Sequence, residues 1–356
     1  MTVMPVAEFA TVDYHTGGEP FRIVMPVAGA GGNAVADVLS GRAGHTTVAE
    51  RRMAAIASPE VQRVRRILCS EPRGHADMYG GFLTPPDDAG ADFGVLFWHK
   101  DGFSTACGHG TIALGTWAVE SGRVRADPDG DTDVVIDVPS GRVTARVTCA
   151  GGRVDSAAFL GVSSWVADRR VPLVLPGRTV EVDIAYAGAF YASLPASALD
   201  LTVEPARYAD LVDAGRRIKH AADTHPAARH PSDDRLSGIY GTILYDEAAG
   251  ATAAGAAVRQ RNLTVFADGQ ADRSPCGSGT CARMALLAAS GTLTMSNSLI
   301  HTSIVGSTFT GRIRGFTSEF GNDAVVPEVT GSAYRTGRST FVVDDRDELA
   351  EGFVLR

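Results

Sequence analysis

Apolar and polar residues alternate along this chain in many short runs. They occupy residues 21–24, 92–98, 134–138, 142–148, 180–185 and 263–267, resume at Ile313 and close at 341–343. Gly, Pro and Asp bound them, as they bound β-strands. Helical spacing is rarer. Residues 48–68 predict one long amphipathic helix with Arg51, Arg52, Arg63, Arg65 and Arg66 on its wet side. Residues 205–221 predict another. Two further segments, 110–119 and 280–289, are apolar nearly all round, so each should be a helix buried on every side. A sheet wrapped around each would bury it.

Those two helices open alike. One follows STACGHGT and the other DRSPCGSGT, and both end in Ser-Gly. Setting Cys107 on Cys276 (276 − 107 = 169) brings Gly108, Gly110, Thr111, Ala113, Ser121 and Gly122 onto Gly277, Gly279, Thr280, Ala282, Ser290 and Gly291. Phe97 meets Phe266 on the preceding strand. One residue further in register, 12-VDYHTGG-18 meets 182-VDIAYAG-188. Such self-similarity predicts two copies of one folding unit. The expected division is 1–172 and 173–339, with 175-LPGRT-179 as linker and the tail, about 340–356, free to return to the first unit. At 356 residues the chain has room for two domains.

Composition narrows the function classes. A net charge of −8 argues against nucleic acid or an anionic membrane as partner. The N-terminus carries no basic segment followed by an apolar one, so no signal peptide is expected, and no run of 18 apolar residues predicts a membrane span. Five cysteines, an odd count in a large chain, predict reduced thiols and a cytoplasmic location. Lys100 and Lys219 are the two lysines, and neither sits in a motif for a pyridoxal Schiff base. Cys69, Cys149 and Cys281 read as small buried hydrophobes. His225 and His230 read as parts of a solvated loop. The polar loop 71-EPRGHADMYGG-81 reads either as an ionic tie between domains or as a gate.

A Gly-rich loop opening a buried helix leaves N–H groups unpaired at the positive end of a dipole, which is an anion site. Two such ends facing one another would hold one carboxylate. Neither loop continues as a P-loop, and GHGTIALG lacks dinucleotide spacing. A cysteine at a helix start is expected to have a lowered pKa. With a carboxylate between them, Cys107 and Cys276 can work on opposite faces of its α-carbon, one removing a proton and the other delivering one. Asp272 can accept hydrogen bonds from a substrate ammonium or cap the loop. Zinc fits the residue types Cys107, His109, Cys276 and Cys281, but no Cys-x₂-Cys pair appears, so no metal site is expected.

These residues resemble the proline racemase family over nearly the whole chain. The matching stretches are 13-DYHTGGEPFRIV-24, 71-EPRGHADMYGGF-82, 107-CGHGTIALG-115, 182-VDIAYAGAFYA-192, 272-DRSPCGSGT-280 and 306-GSTFTGRI-313. The resemblance implies an α/β fold of the diaminopimelate-epimerase type, two pseudo-symmetric domains each a curled β-sheet around a central α-helix. It implies a homodimer, no cofactor and a small amino-acid substrate in the interdomain cleft. By it, Cys107 and Cys276 are the acid/base pair; Gly108, His109, Gly277 and Ser278 bind the carboxylate; His109 and Asp272 flank the ring nitrogen.

The family divides by chemistry. Racemases and epimerases keep an acid/base residue on both sides, whereas trans-3-hydroxyproline dehydratases commonly have threonine at the second position. Cys276 fits inversion, while 95-VLFWHKDGFSTACGH-109 and 183-DIAYAGAFYA-192 look closer to the dehydratases. Ala106, Ser278 and Cys281 depart from the commonest residues. The leading expectation is a racemase or epimerase of proline or hydroxyproline; the alternative is a trans-3-hydroxy-L-proline dehydratase. A silent carboxylate binder would not need two thiols.

Overall fold

A computed structural model describes residues 7–25, 32–42, 44, 46–247, 256–344 and 346–355. It is a mixed α/β structure with a large sheet. The first run comprises β1 (Ala7–Thr16), β2 (Glu19–Val24), α1 (Gly32–Ser40), α2 (Val48–Ala57), α3 (Pro59–Cys69), β3 (Gly80–Thr84), β4 (Phe93–His99) and β5 (Gly102–Phe103). Helix α4 (Gly108–Glu120), β6 (Asp131–Val138), β7 (Gly141–Ala150), β8 (Arg153–Leu160) and β9 (Ser164–Leu175) follow. Then come β10 (Arg178–Tyr186), β11 (Phe190–Pro195), α5 (Tyr208–Ala222), β12 (Ile239–Glu247), β13 (Val258–Phe266) and β14 (Gln270–Asp272). The chain ends through α6 (Gly277–Ala289), β15 (Leu299–Ser303), β16 (Thr308–Glu319), β17 (Asn322–Gly331) and β18 (Ala333–Val343).

Strand pairing repeats along the chain. β1–β2 is antiparallel, β2–β3 parallel, β3–β4 antiparallel, β4–β6 parallel, and β6–β7 and β7–β8 antiparallel. The series β10, β11, β12, β13, β15, β16, β17 repeats those senses one for one. β9 pairs with both β10 and β17 and closes the second circuit. β18 lies antiparallel on β1, and β17 also pairs with β8. Inside, α4 packs on β1, β2, β6, β7, β8 and β18, and α6 on β9, β10, β11, β16 and β17. Gly108 through Ala118 and Gly277 through Leu287 are all buried, as two helices apolar all round require. Each fully buried Leu or Ile there contributes about 1.5–3 kcal/mol over an exposed one.

Several expectations need correction. The helix over 48–68 is two helices: Ser58 caps α3 by accepting from Val61 N–H, and Pro59 takes its first turn, where its missing N–H costs nothing. Arg51 and Arg65 are buried rather than wet, since Arg51 donates to Pro85 O at 2.5 Å and Arg65 to His99 O at 2.6 Å. The 175–179 stretch is the tight turn of the β9–β10 hairpin, with Gly177 at φ +81°, not a loose linker. His230 is buried, its ring 5.0 Å from Tyr186 and 5.2 Å from Phe320. Helix α1 was not foreseen. At the C-terminal end, Glu351 pairs with Arg63 and Arg66, and Phe353 bridges to Glu71.

Candidate active site

The letters of Cys-Gly-x-Gly-Thr each have a physical reason, and most have it twice. The cysteine stands at the N-cap of its helix. The first glycine lets the two helix starts touch: a β-carbon on Gly108 would lie 2.5 Å from Gly277 Cα, and the reverse holds for Gly277. The second glycine makes room for sulfur, because a β-carbon on Gly110 would lie 2.7 Å from Cys107 Sγ, and one on Gly279 would lie 2.9 Å from Cys276 Sγ. The threonine hydroxyl donates back to the chain before the helix, Thr111 to Cys107 O at 2.8 Å and Thr280 to Pro275 O at 3.2 Å. The copies differ at the cysteine itself. Cys107 is extended, whereas Cys276 has φ +63° and ψ 111°, a sparsely populated region that costs a non-glycine residue about 1–3 kcal/mol.

Both thiols are buried, and each is within electrostatic reach of the other. Gly110 N–H donates to Cys107 Sγ at 3.2 Å, and His109 Nδ1 lies 3.5 Å from the same sulfur. Desolvation nevertheless pushes both thiols well above their usual pKa; Asp272 adds to the rise, and the Gly110 and Gly279 N–H groups oppose it. The expected lowering at the helix starts is therefore reversed: burial outweighs the helix end. His109 is likewise buried, and burial lowers its pKa to about 4, so its ring is neutral at pH 7. Asp272 Oδ2 stands 3.8 Å from His109 Nδ1, and Asp272 Oδ1 accepts from Ser274 N–H at 2.8 Å and from its hydroxyl at 2.7 Å. Ser274 Oγ in turn accepts from Cys276 N–H at 3.0 Å. So Asp272 has both contacts: it braces the loop and faces His109.

All seven expected site residues come together: Cys107, Gly108 and His109 from one helix start, Asp272, Cys276, Gly277 and Ser278 from the other. Cys281, Cys69 and Cys149 are buried, and Cys281 Sγ packs toward Gly161. Several neighbours were not foreseen. Tyr191 Oη bonds Ser278 Oγ at 2.7 Å. The Tyr79 hydroxyl contacts Ser104 Oγ and Tyr240 Oη, and its ring meets His109 edge-on at 5.0 Å. Glu19, fully buried, takes Arg273 Nε at 3.1 Å and Arg273 N–H at 2.8 Å, while Arg273 Nη1 reaches Asp77 Oδ2 at 3.5 Å. Asp77 thus makes the polar 71–81 loop an ionic tie to the segment bearing Asp272. Glu19 and Asp77 lie in the quoted motifs and were open to the same reading as Asp272. Tyr240 had no local signal.

The geometry fits what is found among known proteins. The sequence model of the family described as "Proline racemase" matches residues 11–354. The chain is 40% identical over 347 residues to a trans-3-hydroxy-L-proline dehydratase of Bacillus thuringiensis subsp. konkukian, covering 98% of each chain. It is 41% identical over 351 residues to a 3-hydroxyproline 2-epimerase of Burkholderia multivorans, again covering 98% of each. A solved hydroxyproline epimerase from Agrobacterium vitis, with bound trans-4-hydroxy-L-proline, superposes with a TM-score of 0.86 at 28% identity, covering 98% of this chain and 96% of that one. With a match over almost its entire length, the chain belongs to the proline racemase family and is an enzyme.

Proposed function

We propose that this enzyme inverts the α-carbon of a hydroxyproline, with 3-hydroxyproline as its ring, by a two-thiol mechanism that needs no cofactor. The observation that carries the reading is the pair of thiols on two buried helix starts whose first glycines touch. The substrate carboxylate takes the N–H groups of the first turns, from Gly108, His109, Gly277 and Ser278. The ring nitrogen lies between His109 and Asp272. Cys107 or Cys276, as thiolate, takes the α-proton from one face. The electron pair spreads into the carboxylate, where the helix-end amides stabilise it. The opposite thiol gives its proton to the other face and is left as thiolate. The next turnover in reverse exchanges the roles. Burial reduces the ionised fraction of each thiol but makes the thiolate a stronger base toward a weakly acidic C–H bond.

The duplicated pairing order supports a diaminopimelate-epimerase-like architecture, divided at 1–172 and 173–339 with the tail back on the first unit. The names of the relatives support the 3-hydroxy ring. They also favour a second reading: removal of the α-proton by one cysteine as thiolate, loss of the 3-hydroxyl as water protonated by the other cysteine's thiol, and release of a pyrroline-2-carboxylate. One experiment separates the two. Wild type is incubated with trans-3-hydroxy-L-proline, trans-4-hydroxy-L-proline and L-proline in D₂O, following chirality, α-deuterium and pyrroline formation. Inversion with one solvent deuterium is expected, and Cys276→Ser should abolish it. Pyrroline without inversion would establish the second reading, and no reaction with any ring acid would overturn both.

A further inference from the structure

The two buried thiols stand on unlike walls. Behind Cys107, β4 places Phe93 and Val95 and β6 places Val134 in one apolar cluster with Ile112 and Leu114 of α4, all fully buried. The offset of 169 that sets Cys107 on Cys276 also sets Phe93 on Asn262 and Val95 on Thr264. Strand register carries the match to the next strand. Phe93 pairs with Ile136 and Asn262 with Ser303, so His301 answers to Val134. Asn262, Thr264 and His301 are as fully buried as their apolar counterparts. Packing alone does not ask for polar side chains at these three positions, since the first copy packs without them.

The polar side chains converge on the segment that carries Cys276. Asn262 Nδ2 donates to Pro275 O at 2.9 Å. Thr280 Oγ1 lies 3.2 Å from the same carbonyl and 2.8 Å from His301 Nδ1. At the other end of that peptide unit, Cys276 N–H donates to Ser274 Oγ at 3.0 Å. The peptide entering Cys276 is thus held at its oxygen and at its nitrogen. A residue in a sparsely populated backbone region persists where its surroundings over-determine it, as they do here. Asn262 Nδ2 also lies 3.5 Å from Thr264 Oγ1. With that oxygen accepting from the amide, the Thr264 proton is free for the sulfur, and Thr264 hydrogen-bonds Cys276. The two atoms flank Gly279, where a β-carbon would lie 3.3 Å from Thr264 Oγ1 and 2.9 Å from Cys276 Sγ. Pro275 O can only accept, which fixes the Asn262 amide the way it points. Its Oδ1 is left buried with no partner among the described residues, a cost that Phe93 avoids in the first copy.

We propose that Thr264 and Asn262 are positioning residues for the second thiol: the Thr264 hydroxyl donates to Cys276 whenever its sulfur is a thiolate, and Asn262 holds both that hydroxyl and the peptide entering Cys276. The proposal rests on the reading of Cys276 as one of the two acid/base groups. Burial pushes this thiol up and Asp272 adds to the rise, while Gly279 N–H and the Thr264 hydroxyl work against both. Cys107 meets Gly110 N–H and the Tyr79 hydroxyl in the same roles. Each sulfur therefore has one helix N–H and one hydroxyl, but only the second takes its hydroxyl from the strand that packs its own helix. A hydrogen bond to a charged acceptor changes the thiolate population by about 10- to 100-fold. A thiolate that loses the bond is more basic and so more reactive, which returns about half of the effect on a logarithmic scale. The net loss expected is about 3- to 10-fold.

The test alkylates wild type, Thr264→Val and Thr264→Ser with iodoacetamide at pH 8. Peptide mass spectrometry reads Cys276 against Cys107 in the same molecules. The ratio of the two rates should fall about 3- to 10-fold in Thr264→Val, which copies Val95 of the first unit. Thr264→Ser keeps the hydroxyl and should retain most of the wild-type ratio. The kcat/KM for the ring acid that wild type turns over should follow the same order. An unchanged ratio in Thr264→Val would overturn the proposal. So would an equal fall in Thr264→Ser, because shape and not the hydroxyl would then matter. A folding defect exposes both sulfurs and raises both rates, so it does not mimic the fall. If wild type turns over no ring acid, the activity reading fails, and the alkylation ratio still decides the hydrogen bond. Should Thr264→Val not fold, Asn262→Leu takes its place, with the same fall expected and an unchanged ratio against the proposal.

Discussion

Gly108 and Gly277 meet backbone to backbone at the crossing of two buried helix starts, so close that a methyl group on either would sit 2.5 Å from the other's Cα. No flexible side chain stands there to move aside. Gly108→Ala or Gly277→Ala must therefore separate α4 from α6, and with them the two thiols. Displacements near 1 Å at a reacting centre cost roughly 100-fold in rate, and overpacking of this kind about 1–3 kcal/mol in stability. Each variant should show both losses in kcat/KM and in urea unfolding. Full activity in either would mean that the helix starts need not touch.

The repeat in the sequence carried much of this arrangement. An echo spanning strand, loop and helix placed both helices and named Cys107 and Cys276, and the second glycine and the threonine of Cys-Gly-x-Gly-Thr each have a local steric or hydrogen-bonding reason that the spacing encodes. What was not legible depends on distant partners. Arg51 and Arg65 look solvated by helical periodicity, but carbonyls 34 residues away hold them inside. His230 looked solvated until Trp165, Tyr186 and Phe320 closed around it. The pKa of each thiol depends on how much water the folded site excludes, which a helix start alone does not reveal. The break in the 48–68 helix was legible, since Ser58-Pro59 is an N-cap followed by a first-turn proline; the apolar period of 3.6 continued across it and masked the stop.

Arg273 joins Glu19 and Asp77 next to Asp272, and its loss would leave a fully buried carboxylate without its cation. Removing one member of a buried pair costs about 3–5 kcal/mol. Arg273 is partly exposed, so Arg273→Met should cost less than a fully buried pair does, about 2–3 kcal/mol after solvent screening. Glu19→Gln in the same chain should recover part of that loss, because the orphaned charge is then gone. A double-mutant cycle from urea unfolding measures the coupling; additive losses would show that Arg273 stabilises by packing alone.

Free Cys107 and Cys276 should be slow nucleophiles at neutral pH, contrary to what their helix-start positions suggest. Burial raises both pKa values well above 9, and little of either side chain is exposed. Alkylation by iodoacetamide, followed by peptide mass spectrometry, should be at least about tenfold slower than for free cysteine at pH 7. It should rise about tenfold per pH unit up to pH 9, as the thiolate fraction does. Pyrrole-2-carboxylate, planar like the carbanion, should protect both sites together. A rate that levels off below pH 8 would show that a thiolate forms easily, and protection of neither would separate the thiols from one site.

Stability without substrate should fall as pH drops from 6.5 toward 4. His99, His109 and His301 are buried, and desolvation lowers their pKa values to about 3, 4 and 3 from an unfolded value near 6.5. Between those limits the unfolded chain binds protons that the folded one refuses, so unfolding gains with every step down in pH. The stability these histidines contribute is complete above pH 6.5 and is lost progressively toward their folded values. Burial lowers His230 as well, in the same sense. Two carboxyls act in reverse: Glu19 and Asp87, raised by desolvation, stay protonated longer when folded and so favour the fold as pH drops. The histidines outnumber them, leaving a net slope of about 1.4 kcal/mol per pH unit for each proton in excess. Urea midpoints at half-unit steps from pH 7 to 4.5 measure it. His301→Gln should flatten the profile by about one proton, because Nε2 of His301 has no hydrogen-bond partner among the described residues and its ring is buried. A wild-type profile flat across this range would mean that these imidazoles reach water, and that the site between the two helices is wetter than its geometry implies.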